Sequence, residues 1–169
     1  MMFAVLVLLA GAPQTEDVLA PARAGKLQCY QPNVAARTCQ SLASYTRNPD
    51  GSYRNGATVL ISPTAQIVLE TSSVVHVVSG AVCGTIARDD VLAGKVFKAG
   101  APIAPDKMLL ESIADGYAAA GLIGPEICTR YIADGAAMKA EISIAGVPQP
   151  DFSTRVIWVS PDDGYRVAG

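Results

Sequence analysis

Four cysteines divide the chain and limit what it can become. Cys29 and Cys39 share one short polar loop, LQCYQPNVAARTC, and Cys83 and Cys128 lie further along. An even number of cysteines in a small exported domain reads as a disulfide framework. Three pairings are possible. Proximity favours Cys29 with Cys39, because Pro32 and Asn33 let the loop turn back on itself, which leaves Cys83 with Cys128. On the chain-entropy model two such bridges contribute about 3 and about 4 kcal/mol, a large share of the ~5–15 kcal/mol of an ordinary domain. Structural zinc sites want closely spaced ligand pairs, and redox pairs want C-x-x-C; neither spacing occurs. A nucleophilic cysteine needs a histidine, and the only one is His76, seven residues before Cys83. In GAVCG, Val82 occupies the place where G-x-S-x-G holds its nucleophile. No metal site or catalytic sulfur is therefore expected.

The first residues bear on the compartment. MMFAVLVLLAGA is an apolar run from Met1 to Ala12, too short for a bilayer span of about 20 residues but suited to the hydrophobic part of a secretory signal. It lacks the usual positive charge ahead of it, since no Lys or Arg occurs before Arg23. Small-x-small cleavage sites are offered by Ala10-Gly11-Ala12, with Pro13 unfavourably behind it, and by Ala20-Pro21-Ala22 and Ala22-Arg23-Ala24. The expectation is a signal peptide and flexible leader over residues 1–25, a single domain over residues 26–169, and export to the periplasm or beyond. No integral membrane span is expected after the signal.

Within that domain, half the residues are hydrophobic and only 17% are charged, so the chain should fold. The net charge of −2 comes without any basic cluster, which argues against nucleic acid and against anionic membrane surfaces. G-x-G-x-x-G, P-loop, H-E-x-x-H and S-x-x-K patterns are all missing, and no cofactor is expected.

Local patterning predicts strands with one helix among them. CQSLASYT and ATVLIS flank Pro49-Asp50-Gly51, a turn in which Pro fixes φ and Gly accepts a positive one, so a hairpin is expected. The Val-rich stretch after Pro63 reads as two strands, Ala65–Thr71 and Val74–Ile86, broken at Ser72-Ser73 and bent near Gly80. PDKMLLESIADGYAAAGLI carries Leu109, Ile113, Tyr117 and Ala120 at helical spacing. EICTRYI puts Ile127, Thr129 and Tyr131 on one face and Cys128, Arg130 and Ile132 on the other. AMKAEISIAG alternates likewise, and STRVIWVSP sets Val156 and Trp158 on one face. The expected class is α+β: a mainly antiparallel sheet with one principal helix packed on it, stapled by disulfides.

Chemistry is sparse. His76, inside SVVHVV, is the one candidate general base. Asp89-Asp90 and Asp162-Asp163 are adjacent pairs in expected turns, and neighbours on a strand point to opposite faces, so they do not naturally share a proton. What remains is a polar-aromatic group in the last strands. Arg130, Tyr131, Arg155 and Trp158, with Asp162, Asp163, Tyr165 and Arg166, offer side chains of the kind that anchor interfaces and form a candidate binding face.

LQCYQPN, AVCG, EICTRY and WVSPDDGYRV together resemble small exported proteins of alphaproteobacteria that carry no assigned activity. The resemblance implies a periplasmic setting and brings no catalytic residues. The expected function is a non-enzymatic exported domain that binds a protein or envelope component. The alternatives are an inhibitor of a cell-wall hydrolase or protease, and a small hydrolase built on His76 or an acidic pair.

Overall fold

The computed structural model describes residues 17–104 and 106–168; the apolar run and the Ala10-Gly11-Ala12 site lie outside them. The described chain opens with one helical turn, α1 (Ala20–Arg23). Strands β1 (Leu27–Tyr30), β2 (Thr38–Cys39), β3 (Ser41–Arg47), β4 (Tyr53–Ser62), β5 (Ile67–Val78) and β6 (Ala81–Thr85) follow. An insertion then carries α2 (Arg88–Leu92), β7 (Lys95–Lys98), β8 (Ala101–Pro102) and α3 (Lys107–Ala119). The chain continues through β9 (Glu126–Asp134), β10 (Ala137–Ile144), β11 (Val147–Pro148), β12 (Thr154–Val159) and β13 (Arg166–Val167).

Eight of these strands close into an antiparallel barrel in the order β1, β3, β4, β5, β6, β9, β10, β12, with β12 paired back to β1. Apart from the closing pair of β12 with β1, each neighbour in the ring is the next barrel strand along the chain, and the β6–β9 connection carries the insertion. This corrects the expected α+β class. The predicted helix exists as α3, with Asp106 accepting the Leu109 N–H at its start, but it does not cover a sheet face as a principal layer. It packs with α2 against Leu69 and Val96, and Val91, Leu110, Ile113 and Ala114 complete a satellite core in the insertion. The physical reason is closure. An open sheet leaves two strand edges unpaired, and pairing Leu27 with Val159 joins the first and last strands instead.

The turns follow the residues. Asp50 accepts from both the N–H and the hydroxyl of Ser52, and Gly51 takes φ +89°, which folds β3 onto β4 as the sequence predicts. The Val-rich stretch departs from expectation. β5 runs unbroken through Ser72 and Ser73, which pair with Gly56 and Asn55. Near Gly80 there is a tight two-residue turn rather than a bend, with Ser79 at φ +49° and Gly80 at φ +76°, the left-handed pair that a type I′ hairpin requires.

One end of the barrel is shut by the segment before β1. Leu19 is fully buried against Tyr53, Val75 and Val82, with Trp158 and Tyr45 beside them. Asp17 holds this segment through the Leu19 N–H and an ion pair with Arg23. Leu19 and Ala22, with Val18 beside them, thus pack this segment against the barrel. Outside the wall, Cys29 and Cys39 are bridged and buried with Val159, beneath the parallel pair of β2 with β13. Cys83 and Cys128 stand opposite one another on β6 and β9 and form the second bridge.

Candidate functional site

The alternation of side chains along barrel strands sends every second residue inward. The register makes Gln28 a neighbour of both Ala43 and Trp158, Tyr45 a neighbour of Asn55, and Tyr131 a neighbour of Ala140. Gln28, Tyr30, Tyr45 and Tyr131 come from three strands and meet inside the ring. The Gln28 side-chain oxygen lies within hydrogen-bonding distance of the hydroxyls of Tyr45 at 2.8 Å, Tyr30 at 3.0 Å and Tyr131 at 3.1 Å, which share it as an acceptor. The Tyr30 and Tyr131 hydroxyls are 2.5 Å apart, and those of Tyr45 and Tyr131 3.4 Å. Gln28 is fully buried, and among the described residues its Nε2 finds no partner.

Burial pushes the Tyr30 and Tyr45 phenols well above the usual range, with the Tyr131 phenol adding to the effect. Burial also raises Tyr131, opposed by its hydrogen bonds to Tyr30, Tyr45 and Gln28. All three hydroxyls are therefore neutral donors and acceptors at physiological pH.

Beside this cluster lies a cavity of about 140 Å³, lined by the three tyrosines, by Asn55, Ser73, Thr85 and Thr129, and by Val75, Val82, Gly84, Ile86 and Ile127. None of these lining residues is charged. The three tyrosines are each partly buried and line this cavity. The cavity reaches the wall where two strands part. β5 pairs with β6 from Val75 to Val78 and with β7 from Ile67 to Glu70, so Thr71–Val74 span a fork. Ser73 lines the cavity on one side of this fork, and Thr85 and Ile86 line it on the other.

The candidate binding face read from the sequence does not form one surface. Arg130 and Tyr131 are neighbours on β9 and must point oppositely. Tyr131 and Trp158 turn into the barrel with Gln28, while Arg130 lies outside and donates to the Ser79 carbonyl at 3.2 Å. Arg155 is exposed on β12, and Tyr165 packs on the outer disulfide cluster. Arg166 borders an outer cleft of about 520 Å³ together with Glu70, Phe97 and Val167. Asp162 is exposed, and Asp163 accepts the Ser160 N–H at 2.7 Å as a cap.

His76 is exposed on the outer face opposite Cys83, across the wall from the cavity. Asp90 accepts the Ala87 N–H at 3.0 Å at the start of α2, with Asp89 beside it in the same turn. Glu126 lies 3.7 Å from the Cys128 sulfur, but both sulfurs there are joined to one another and hold no metal in that state. Among the described residues no helix is long and apolar enough to cross a membrane.

Comparison of the chain with protein-family models, with curated proteins and with solved structures finds no match in any of the three.

Proposed function

We propose that the protein is an exported, non-enzymatic binding barrel that holds a small molecule in its interior. The observation that carries this reading is the cavity beside the Gln28–tyrosine cluster: a hollow open on one side, lined by the three tyrosines, Asn55, Ser73, Thr85, Thr129 and aliphatic residues, with no charge in its wall. Barrels of eight strands have interiors just wide enough to be filled by side chains or to hold one small ligand. Small-molecule sites are generally concave and mostly apolar, with a few placed polar groups; this cavity shares those features at a volume suited only to a very small molecule. A general acid or base should titrate near the working pH. The enclosed phenols are pushed away from it, so the site favours holding over transforming. Export is supported by two disulfides, which persist in oxidising compartments.

The expected partner moves from a protein or envelope surface to a molecule inside the wall, because Tyr131 and Trp158 point inward while Tyr165 stays on the outer disulfide cluster. The test is native mass spectrometry of the protein recovered from the periplasm, and again after incubation with an extract of the same cells. The expected result is a retained small molecule that leaves on denaturation and is weakened by Tyr131→Phe. A bare protein mass in both preparations would overturn the reading.

A further inference from the structure

Resting on the binding-barrel reading, the cavity's chemistry narrows what it accepts: we infer that it takes a small phenol, a single apolar ring bearing one or two hydroxyl groups. Size comes first. A hollow of about 140 Å³, open on one side, has close to the ~150 Å³ of a sealed engineered cavity that holds one benzene ring. Charge comes second. A carboxylate or ammonium placed among Val75, Val82, Ile86 and Ile127 would lose part of its hydration and gain no counter-charge from the lining.

Polarity comes third. The aliphatic residues and the tyrosine rings offer a ring its contact surface, since aromatic pairs gain beyond simple area burial. A polyhydroxylated ring would place hydroxyls against valine and isoleucine with nothing to bond, a loss of the kind that discriminates strongly between ligands. One or two hydroxyls can be met. Ser73, Thr85 and Thr129 line the chamber with the three tyrosines, and a serine or threonine hydroxyl can both donate to and accept from a ligand hydroxyl. The fork between β5 and β6 is the entrance, with Ser73 facing Thr85 and Ile86 across it.

The test is a titration of the full protein with 4-methylphenol, 4-methylbenzoate and toluene, followed by amide chemical shifts. The expected result is saturable shifts at Ser73, Gly84 and Thr129 with 4-methylphenol, and affinities roughly tenfold or more weaker for toluene, which lacks the hydroxyl, and for 4-methylbenzoate, whose charge finds no partner in the lining. Tyr131→Phe and Thr129→Val should each weaken 4-methylphenol while leaving the far-UV spectrum unchanged; the wild-type comparison stands even if a variant does not fold. Equal binding of 4-methylbenzoate would overturn the neutrality argument, and equal binding of toluene the hydroxyl argument. Shifts confined to outer residues such as His76 or Arg130 would overturn the site itself. If no probe binds while native mass spectrometry still shows a retained molecule, the phenol assignment fails and the binding barrel stands; if neither appears, both fail.

Discussion

At Gln28 one amide oxygen gathers three phenols from neighbouring strands, and its removal should be felt at once. Gln28→Ala leaves those hydroxyls without their common acceptor and opens a cavity, so a loss of about 2–4 kcal/mol is expected in urea unfolding. A loss below about 1 kcal/mol would show that water replaces the amide freely. Part of this site could be read in advance. The alternation in EICTRYI already sets Tyr131 apart from Arg130, and STRVIWVSP sets Trp158 beside Val156, as the structure has them. Grouping Arg130 with Tyr131 on one face contradicted that alternation. Gln28 and Tyr30 carry no such signal, because β1 is only four residues long and its pattern is too brief to mark a strand. No local signal in LQCY says that its neighbours will be β3 and β12.

Among the elements, the segment before β1 and the close pair of β5 with β6 decide how the barrel is shut. Leu19 is fully buried at one end. Leu19→Ala should therefore destabilise by about 2–5 kcal/mol, as for other buried leucines, with the denaturation midpoint as the readout. Gly84 sits where a Cβ would lie 2.8 Å from the Val74 carbonyl and from Val75 Cγ1. Gly84→Ala forces backbone apart at the last paired position before the fork, and should cost about 1–3 kcal/mol; an unchanged midpoint would mean that β5 and β6 separate easily there. The helix α3 and the β3–β4 hairpin were readable because their signals are local: helical spacing with Asp106 as cap, and Pro49-Asp50-Gly51. The run of β5 through Ser72 and Ser73 was not. Serine is a poor strand former on its own, and here pairing with Gly56 and Asn55 overrides that preference.

For the whole molecule, closure and the two bridges act together. The Cys29–Cys39 pairing suggested by proximity, and Cys83–Cys128 with it, are the bridges observed. Cys83→Ala with Cys128→Ala should lower stability by about 4 kcal/mol and the Cys29, Cys39 double variant by about 3 kcal/mol, read as separate shifts in unfolding midpoint. Closure itself was hidden from sequence, because it rests on β1 meeting β12 across nearly the whole described chain. Strand count and alternation are equally consistent with an open sheet under a helix. The distinction matters for function, since closure turns the aromatic face of the last strands into an interior.

That inward placement is tested most directly by spectrophotometric titration of tyrosine with pH, run alongside far-UV circular dichroism. Tyr30, Tyr45 and Tyr131 have raised pKa values in the folded state, so between the ordinary phenol value near 10 and those higher values the folded chain binds more protons than the unfolded one. Their contribution to stability is complete below about pH 10 and is lost as pH climbs above it, by up to about 1.4 kcal/mol per pH unit for each phenol. We predict that these phenols ionise only as the protein unfolds, and that Tyr131→Phe removes one phenol from that late, cooperative phase. Loss of that phenol from an early phase, titrating near pH 10 with the fold intact, would place Tyr131 on the outside and contradict the barrel interior as the site.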